Sequence, residues 1–411
     1  MVKNSGEYIM NLRTPFAYVL CMFLASLIVG CDALLTEAPE PGESFDEPME
    51  GLTKQQLAAF SRGDEGFGKI FSVKEGLGPI FNQPACESCH PRDGKGNPRT
   101  NLIRFGRYEN GVFDLLLEAG GPQLQDRSIP GVSPETLPAH ANAVSHRSGP
   151  VAFGLGLIEA IPDAEILQRE DPNDADGDGI SGRVNWVSAA DYLGKADGQY
   201  VGRFGRKAGV PFLLQQVVTA YQQDIGITTD YLPVENSHPQ LGSSVRDEAP
   251  DPELPASVVD DVVSYLLTLA PPKRGPITPQ VTQGEAIFTF IGCAGCHTPS
   301  MNTGSHPIAA LSNVPVPLYS DLLLHDMGPG LADNFYEGSS TGTEWRTTPL
   351  WGLRLVKEFL GGTPFYLHDG RTSSLREVID WHGGEAAGAR DRFKELSVPQ
   401  QEALIKFLES L

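Results

Sequence analysis

Two five-residue stretches decide how this chain is interpreted: Cys86-Glu-Ser-Cys-His90 and Cys293-Ala-Gly-Cys-His297. Each has the pattern Cys-x-x-Cys-His, which is the attachment signature of c-type haem. The spacing follows from the chemistry, because two thiols add to the vinyl groups of the porphyrin and the adjacent histidine ligates the iron. The sequence therefore predicts two covalently bound haem c groups. The attachment and proximal-ligand residues are Cys86, Cys89 and His90 for the first haem, and Cys293, Cys296 and His297 for the second.

Other uses of these cysteines are less favoured. The chain has six cysteines, and the remaining two, Cys21 and Cys31, lie in the N-terminal segment. A disulfide or a redox Cys-x-x-Cys pair would carry the following histidine by coincidence, and this coincidence would have to occur twice. A zinc site would need both motifs to combine into one set of four ligands.

Length and charge limit the classes of protein that the chain can belong to. The 411 residues exceed the usual size of one domain and predict two or three. The 52 acidic residues outnumber the 31 basic ones, and the formal net charge is −21. Because a phosphate backbone requires a basic surface, this charge disfavours nucleic-acid binding.

The N-terminus resembles an export signal. Residues 15–30 are uncharged and mostly apolar, a run short for a membrane span and typical of a signal peptide. Its end, Leu27-Ile-Val-Gly-Cys31, resembles a bacterial lipobox, which implies cleavage before Cys31 and lipidation of its thiol. The alternative is an uncleaved anchor helix. We expect a lipoprotein signal peptide over 1–30 and a periplasm-facing protein anchored to the inner or outer membrane of the cell envelope. Residues 31–50, acidic and rich in proline, are expected to form an extended tether.

An internal repeat predicts the fold. A short helical stretch containing Gly and Ile-Phe is expected before each motif, at 78–81 and 284–288, and an amphipathic helix follows each motif much later, at 257–269 and 400–411. We therefore predict a mainly α protein with two cytochrome c-type haem domains in tandem.

Proline and glycine at 271–276 predict a linker between the two domains. The first domain then covers 51–270 and the second covers 276–411. The first is much longer than a minimal cytochrome c, and its excess between His90 and Val201 is expected to form a large, loop-rich insertion.

The distribution of methionine makes the two haems unequal. Outside the signal and the tether only Met301 and Met327 remain, and both lie in the second domain. The first haem is therefore expected to have a histidine, another ligand or a vacant sixth position. Since an axial methionine raises the reduction potential relative to histidine, the first haem should have the lower potential or be open.

A candidate calcium loop lies in the insertion. Asp174, Asp176 and Asp178 stand at alternate positions before Gly179, as in the first half of a calcium-binding loop. The twelfth position is Asn185, where an EF-hand has glutamate. Both a bound Ca²⁺ and a solvated acidic turn fit this pattern.

Longer stretches are similar to the di-haem oxidoreductase family of peroxidase-like proteins. That family is a distant relative of the bacterial di-haem cytochrome c peroxidases and of the di-haem enzyme that matures a tryptophan-derived cofactor. The stretches that carry the resemblance are 154–162, 202–208, 319–333, 344–352, 366–371 and 381–386.

The resemblance implies roles for particular side chains. His146 would cap the N-terminal haem in the resting state. Gln216 and Asp224 would stand over the open face of that haem and assist O–O cleavage by general acid–base catalysis. His382 would be the sixth ligand of the C-terminal haem, and Met327 is the second choice. Where the peroxidases have a tryptophan between the haems, this chain has Phe204 and Arg206.

We therefore expect an exported, lipid-anchored, peroxidase-like oxidoreductase. A small electron-donor protein, a cytochrome or a cupredoxin, would reduce the C-terminal haem. The N-terminal haem would receive these electrons and bind peroxide or another small oxidant. Two alternatives stay open: a pure electron-transfer cytochrome with both irons six-coordinate, and an oxygenase-type or protein-modifying enzyme that acts on an organic substrate.

Overall fold

The computed structural model describes Met1 and residues 42–236, 238–242 and 245–411. The predicted signal peptide, Cys31 and the first part of the tether lie outside the described residues. Within them, no helix is both long enough and apolar enough to cross a bilayer.

The chain alternates helices with short strands and long irregular connections. The helices are α1 (Lys54–Gly68), α2 (Cys86–Cys89), α3 (Leu155–Ala160), α4 (Asp163–Leu167), α5 (Leu213–Ala220), α6 (Ala256–Thr268), α7 (Pro279–Phe290), α8 (Leu353–Phe359), α9 (Leu375–Trp381), α10 (Ala387–Glu395) and α11 (Val398–Leu408). The strands are β1 (Ile80–Phe81), β2 (Leu102–Glu109), β3 (Val112–Asp114), β4 (Gln123–Leu124), β5 (Arg127–Ser128), β6 (Ala143–Arg147), β7 (Trp186–Ser188), β8 (Gln199–Val201), β9 (Met301–Asn302), β10 (Pro315–Val316), β11 (Leu324–Asp326) and β12 (Glu344–Arg346).

The internal repeat is visible as two pairs of crossing helices. In the first half α1 packs on α6, where a Cβ at Gly63 would overlap the carbonyl oxygen of Asp261. In the second half α7 packs on α11, where a Cβ at Gly284 would overlap the carbonyl oxygen of Ala403. Glycine thus lets the backbones approach closely at both crossings. The observed α6 and α11 lie within about two residues of the predicted starts of the closing helices.

The helix predicted at 78–81 is wrong. Ile80–Phe81 forms strand β1, which pairs with β5, and Gly78 has a φ of +109° that a helix does not contain. The counterpart of α7 is instead α1, which precedes the first motif by a longer connection.

The predicted mainly α, tandem-domain fold is not confirmed. The insertion carries a sheet in which β2 pairs antiparallel with β3, β4 and β6. Residues Gly42–Leu411 form one compact unit. Its largest apolar cluster combines residues from both sides of 271–276, among them Leu157, Leu311 and Trp351. The domain boundaries therefore stay a prediction.

Part of the predicted tether is packed. The Phe45 ring centroid lies 4.8 Å from that of Phe153 and 4.3 Å from that of Phe359. The Met49 N–H donates to the carbonyl of Thr268 at 2.8 Å. The acidic composition of 31–50 predicted an extended tether. Burial of Phe45 and Met49 instead packs residues 42–50 against the core.

Candidate functional site

Both Cys-x-x-Cys-His motifs open into one cavity of about 690 Å³. The first motif forms α2, and the second begins with the 3₁₀ turn Cys293–Gly295 after α7. The motif residues that line the cavity are Cys86, Cys89, His90, Cys293, Cys296 and His297. The structure thus brings together two segments that are far apart in the sequence.

The two motif histidines have the same hydrogen bond. Nδ1 of His90 lies 2.7 Å from the carbonyl oxygen of Pro150, and Nδ1 of His297 lies 2.9 Å from that of Tyr319. A carbonyl can only accept, so Nδ1 carries the proton and Nε2 keeps its lone pair for a metal. Burial lowers the pKa of both histidines to about 4, which keeps the rings neutral as iron ligation requires.

The motif cysteines do not resemble a redox pair. All four are free thiols, with no disulfide among the described residues. Burial raises the pKa of Cys86, Cys89 and Cys293 to about 12, whereas redox-active cysteines have lowered pKa values.

Three cavity-lining cations support a cofactor that carries carboxylates. Lys95 donates to the carbonyl of Leu367 at 2.7 Å, and Arg206 donates to that of Ser148 at 2.8 Å. Arg346 donates to the carbonyl of Gly205 at 3.1 Å. In the described part of the chain none of the three forms an ion pair, although a buried cation without an anion is costly. The propionates of haem would supply the missing negative charge, so these residues fit the group.

Both candidates for the sixth ligand of the C-terminal haem line the same cavity as His297. His382 directly follows α9, and its Nδ1 lies 2.7 Å from the carbonyl oxygen of Val378. Burial lowers the pKa of His382. The ring is therefore neutral with a free Nε2, as in the two motif histidines, and Met327 is the other candidate present.

His325, which the sequence does not single out, is engaged on both ring nitrogens. Its Nε2 lies 2.8 Å from Asp321 and its Nδ1 lies 2.8 Å from Glu385, with Sγ of Cys296 at 3.6 Å. Burial acts to lower the pKa of His325, but these hydrogen bonds outweigh it and hold the pKa well above its ordinary value. His325 is therefore held by two carboxylates beside the second motif, where it lines the cavity. The i, i+4 spacing of Asp321 and His325 is the only local signal for it.

The structure does not bring His146 to the cavity. This residue lies in β6, pairs with Ile103 of β2, and is exposed outside the cavity lining. Its neighbours Ser145 and Arg147 are buried instead. Successive side chains of a strand point to opposite faces, so the inward position of Arg147 directs His146 to solvent.

Gln216 and Asp224 both line the cavity, and their catalytic role stays a prediction. Asp224 lies in the π-helix Tyr221–Ile225 that continues α5, and such turns are frequent at functional sites. Its Oδ1 accepts from Nε2 of Gln123 at 2.6 Å, so the described partner of Asp224 is Gln123 and not Gln216. Burial raises the pKa of Asp224 to about 6, against the lowering effects of Gln123 and Arg104.

A buried network of ion pairs contributes Arg147 and Glu337 to the lining of the same cavity. Arg147 contacts Glu337 at 2.6 Å, and Nη2 of Arg147 lies 3.7 Å from Asp333. Lys207 contacts Asp333 at 2.9 Å. Burial would raise the pKa of Glu337, but Arg147 and Arg104 lower it to about 2. Sequence reasoning missed this network because its members come from distant segments.

An aromatic pair also lines the cavity. The rings of Trp345 and His368 stack with centroids 3.8 Å apart and an interplanar angle of 16°. Burial, followed by the nearby Arg371, lowers the pKa of His368 to about 2. Phe204 lines the cavity too, and the tryptophans that line it are Trp345 of β12 and Trp351.

The acidic loop differs from the predicted calcium set. Carboxylate oxygens of Asp171, Asp174 and Asp176 lie within 4.8 Å of one another. Asp178 is not in this group, and its Oδ1 accepts from the backbone N–H of Ile180 at 2.8 Å. Calcium binding stays a prediction.

Comparisons with known proteins identify a family. A sequence model described as "Di-haem oxidoreductase, putative peroxidase" matches residues 136–411, a range that contains the second motif but not the first. No curated protein matches the chain significantly.

Two solved structures are distantly similar. Hydrazine synthase of Kuenenia stuttgartiensis, pressurised with xenon, is 13% identical with a TM-score of 0.38, and the alignment covers 99% of this chain and 100% of that one. A MauG-like protein associated with microbial copper homeostasis is 14% identical with a TM-score of 0.37, covering 92% of this chain and 94% of that one. TM-scores this low do not establish a common fold, and the assignment depends on the family match.

Proposed function

This chain belongs to the di-haem oxidoreductase family, and from that premise we propose that it is an exported, peroxidase-like enzyme with two covalently bound haems. Electrons would pass from a donor protein to the C-terminal haem and then to a substrate-binding N-terminal haem. The net reaction would be the reduction of hydrogen peroxide by two electrons and two protons to two molecules of water.

The hydrogen-bonded pair of Asp224 and Gln123 is the observation that carries this proposal. A carboxylate with a pKa of about 6 can take up and release a proton near neutral pH. Gln123 donates to one carboxylate oxygen at 2.6 Å, which leaves the other oxygen for the substrate. Asp224 would move a proton from one peroxide oxygen to the other, and Gln123 would hold it in position. Gln216 would add a second polar group to the same cavity.

The residues that would hold the haems are those of the two motifs. Cys86 and Cys89 would attach the first haem and Cys293 and Cys296 the second. Bound haem would supply electron transfer and the activation of peroxide. His90 and His297 would be the proximal ligands, with Nδ1 of each oriented by a carbonyl oxygen.

The two haem sites would have different functions because the side chains available as the sixth iron ligand differ. His382 would be the permanent sixth ligand of the C-terminal haem, with Met327 as second choice. At the N-terminal haem His146 is too exposed to fill this position. A sixth position free of this histidine favours substrate binding over a purely electron-transferring role.

The partner and the location follow from charge and from the N-terminal segment. A net charge of −21 would steer a basic donor, such as a small cytochrome or a cupredoxin, towards the protein. We propose that Cys31 carries the lipid and that the enzyme faces the periplasm from one of the two envelope membranes.

Absorption and EPR spectra test this function. We expect a high-spin haem in the half-reduced protein and a spectral change on adding hydrogen peroxide. In Asp224→Asn the high-spin haem should persist while the reaction with peroxide slows. If half-reduction yields no high-spin haem and peroxide leaves the spectrum unchanged, the protein is an electron-transfer cytochrome. Oxidation of an added organic substrate without peroxide turnover would instead support an oxygenase-type or protein-modifying enzyme.

A further inference from the structure

Arg104 lies beside the proposed proton-transferring group. In the antiparallel pair of β2 and β4, Arg104 stands directly opposite Gln123. Directly opposed residues project from the same face of a sheet, and both line the cavity. Gln123 in turn donates to Asp224 at 2.6 Å. The guanidinium of Arg104, the amide of Gln123 and the carboxylate of Asp224 thus come from three separate elements and line the same part of the cavity.

The positive charge of Arg104 is less engaged than that of its neighbour Arg147. Arg147 donates to Ser145 at 2.9 Å and to Glu337 at 2.6 Å. Nε of Arg104 lies 4.0 Å from Glu337, outside hydrogen-bonding reach, and has no partner among the described residues. The side chain keeps 21% of its surface accessible, because it borders the cavity. Of Arg104 and Arg147, Arg104 is therefore the cation that can still bind an anion.

The surroundings hold this guanidinium in place. Its Cζ lies 5.5 Å from the ring centroid of Phe335, and its Nε lies 4.0 Å from Glu337. Glu337 is bound to Arg147, so it cannot rotate towards Arg104 without losing that shorter contact. A positive group held before the ligand arrives is the arrangement that stabilises developing negative charge most effectively.

We propose that Arg104 is the oxyanion-binding residue of the N-terminal haem site. The inference rests on the proposed function and deepens it. As Asp224 transfers the proton of one peroxide oxygen to the other, the O–O bond breaks and the leaving oxygen departs as water. Arg104 stays protonated and donates hydrogen bonds to the oxygen that carries negative charge. The other oxygen becomes the second water, with two electrons from the donor protein and two protons from solvent.

Binding of small ligands tests this role without measuring turnover. Fluoride is an anionic probe for a high-spin ferric haem, and carbon monoxide is a neutral probe for the ferrous haem. In Arg104→Leu we expect fluoride affinity to fall about 10-fold or more, as for loss of a hydrogen bond to a charged group. Affinity for carbon monoxide should change much less. Arg104→Lys keeps the charge without the planar fork and should retain part of the affinity.

Arg107→Leu is the matched control. Arg107 lies three residues further along β2 and pairs with Glu109 at 2.7 Å near the surface. Its replacement should leave the affinities for both ligands unchanged. If Arg104→Leu does not fold, Arg104→Lys against Arg107→Lys provides the same comparison.

The outcomes separate this inference from the proposed function. If the unmodified protein reacts with peroxide but the Arg104 variants bind fluoride normally, the role of Arg104 is lost and the function stands. A change in haem content or reduction potential with normal fluoride affinity would show that Arg104 binds a propionate instead. If fluoride affinity falls as expected in a protein that does not reduce peroxide, the anion site stands and the peroxidase function fails. An unmodified protein that binds no fluoride in the oxidised or half-reduced state overturns the inference.

Discussion

The two halves of this molecule share the machinery for holding a haem and differ in what faces it. In each half a helix crosses a closing helix at a glycine, and the motif histidine has its Nδ1 oriented by a carbonyl oxygen. The second half then adds His382 and Met327 to the cavity, whereas the first half adds Asp224, Gln123 and Arg104. A neutral imidazole can ligate iron permanently, but a carboxylate and a guanidinium are suited to protons and anions. We infer from this comparison that the side chains lining the cavity beside each motif, and not the motif itself, make the two sites different.

The largest effect is expected from removing one haem at a time. Cys86→Ala with Cys89→Ala should leave one covalent haem and abolish the reaction with peroxide. Cys293→Ala with Cys296→Ala should also leave one haem, but should abolish reduction by the donor. Ser88→Ala, which preserves the motif, is the control. Mass spectrometry and haem absorbance measure attachment, and two covalent haems in either double variant would contradict it.

The second half contains a buried histidine, His325, that is hydrogen-bonded to two carboxylates. Asp321→Asn should lower the free energy of unfolding by about 3 kcal/mol, since it leaves the buried His325 with an incomplete set of partners. Because the pKa of His325 is raised in the folded protein, its stabilisation is complete below its ordinary pKa of 6.5. It is lost as the pH rises through the raised value. Thermal unfolding across pH measures this effect, and Asp326→Asn, at the exposed residue that follows His325 in β11, is the control. Equal stability of Asp321→Asn and the unmodified protein would refute this role.

Proton transfer should be confined to the first half. In Asp224→Asn we expect kcat/KM for peroxide to fall about 100-fold or more, the range for loss of a general acid–base group. In the unmodified protein the rate should fall below a pH of about 6, where Asp224 becomes protonated. The variant should lack this dependence. Asp126→Asn, an exposed neighbour outside the cavity lining, should retain it. An unchanged pH profile in Asp224→Asn would assign the proton transfer to another group.

The sixth ligand distinguishes the halves spectroscopically. His382→Ala should convert the C-terminal haem from low-spin to high-spin and raise its reduction potential by the order of 0.1 V, within the range of about 0.8 V that axial ligands span. Met327→Leu should leave both properties unchanged. Redox titration with EPR measures them, and the reverse result would make Met327 the ligand.

The smallest effect is expected at His146. Because this side chain is exposed on the outer face of β6, His146→Gly should leave the resting spectrum and the reaction with peroxide unchanged. His140→Gly, another exposed histidine, is the control. A new high-spin signal in His146→Gly would show that the segment rearranges to ligate the N-terminal haem.

Features that depend on neighbouring residues could be predicted from the sequence, and features that depend on contacts between distant residues could not. The motifs and the closing helices were predictable because the Cys-x-x-Cys-His spacing and the helical periodicity are local properties of the sequence. The position of His146 was not, since it depends on which face of β6 turns inward, and the pairing of β6 with β2 decides this. The hydrogen-bond partner of Asp224 was also not predictable, because Gln123 is 101 residues away in the sequence.

The sequence by itself determined that the chain carries two haem-attachment motifs, that methionine is absent from the first predicted domain, and that the resemblance leads to the di-haem oxidoreductases. The tertiary structure alone decided that both motifs share one cavity, that His382 faces it and His146 does not, and that residues 42–50 pack on the core. The reason is physical. The Cys-x-x-Cys-His signature is a property of one short segment, whereas the polarity of the cavity depends on strand pairing and helix packing between distant segments.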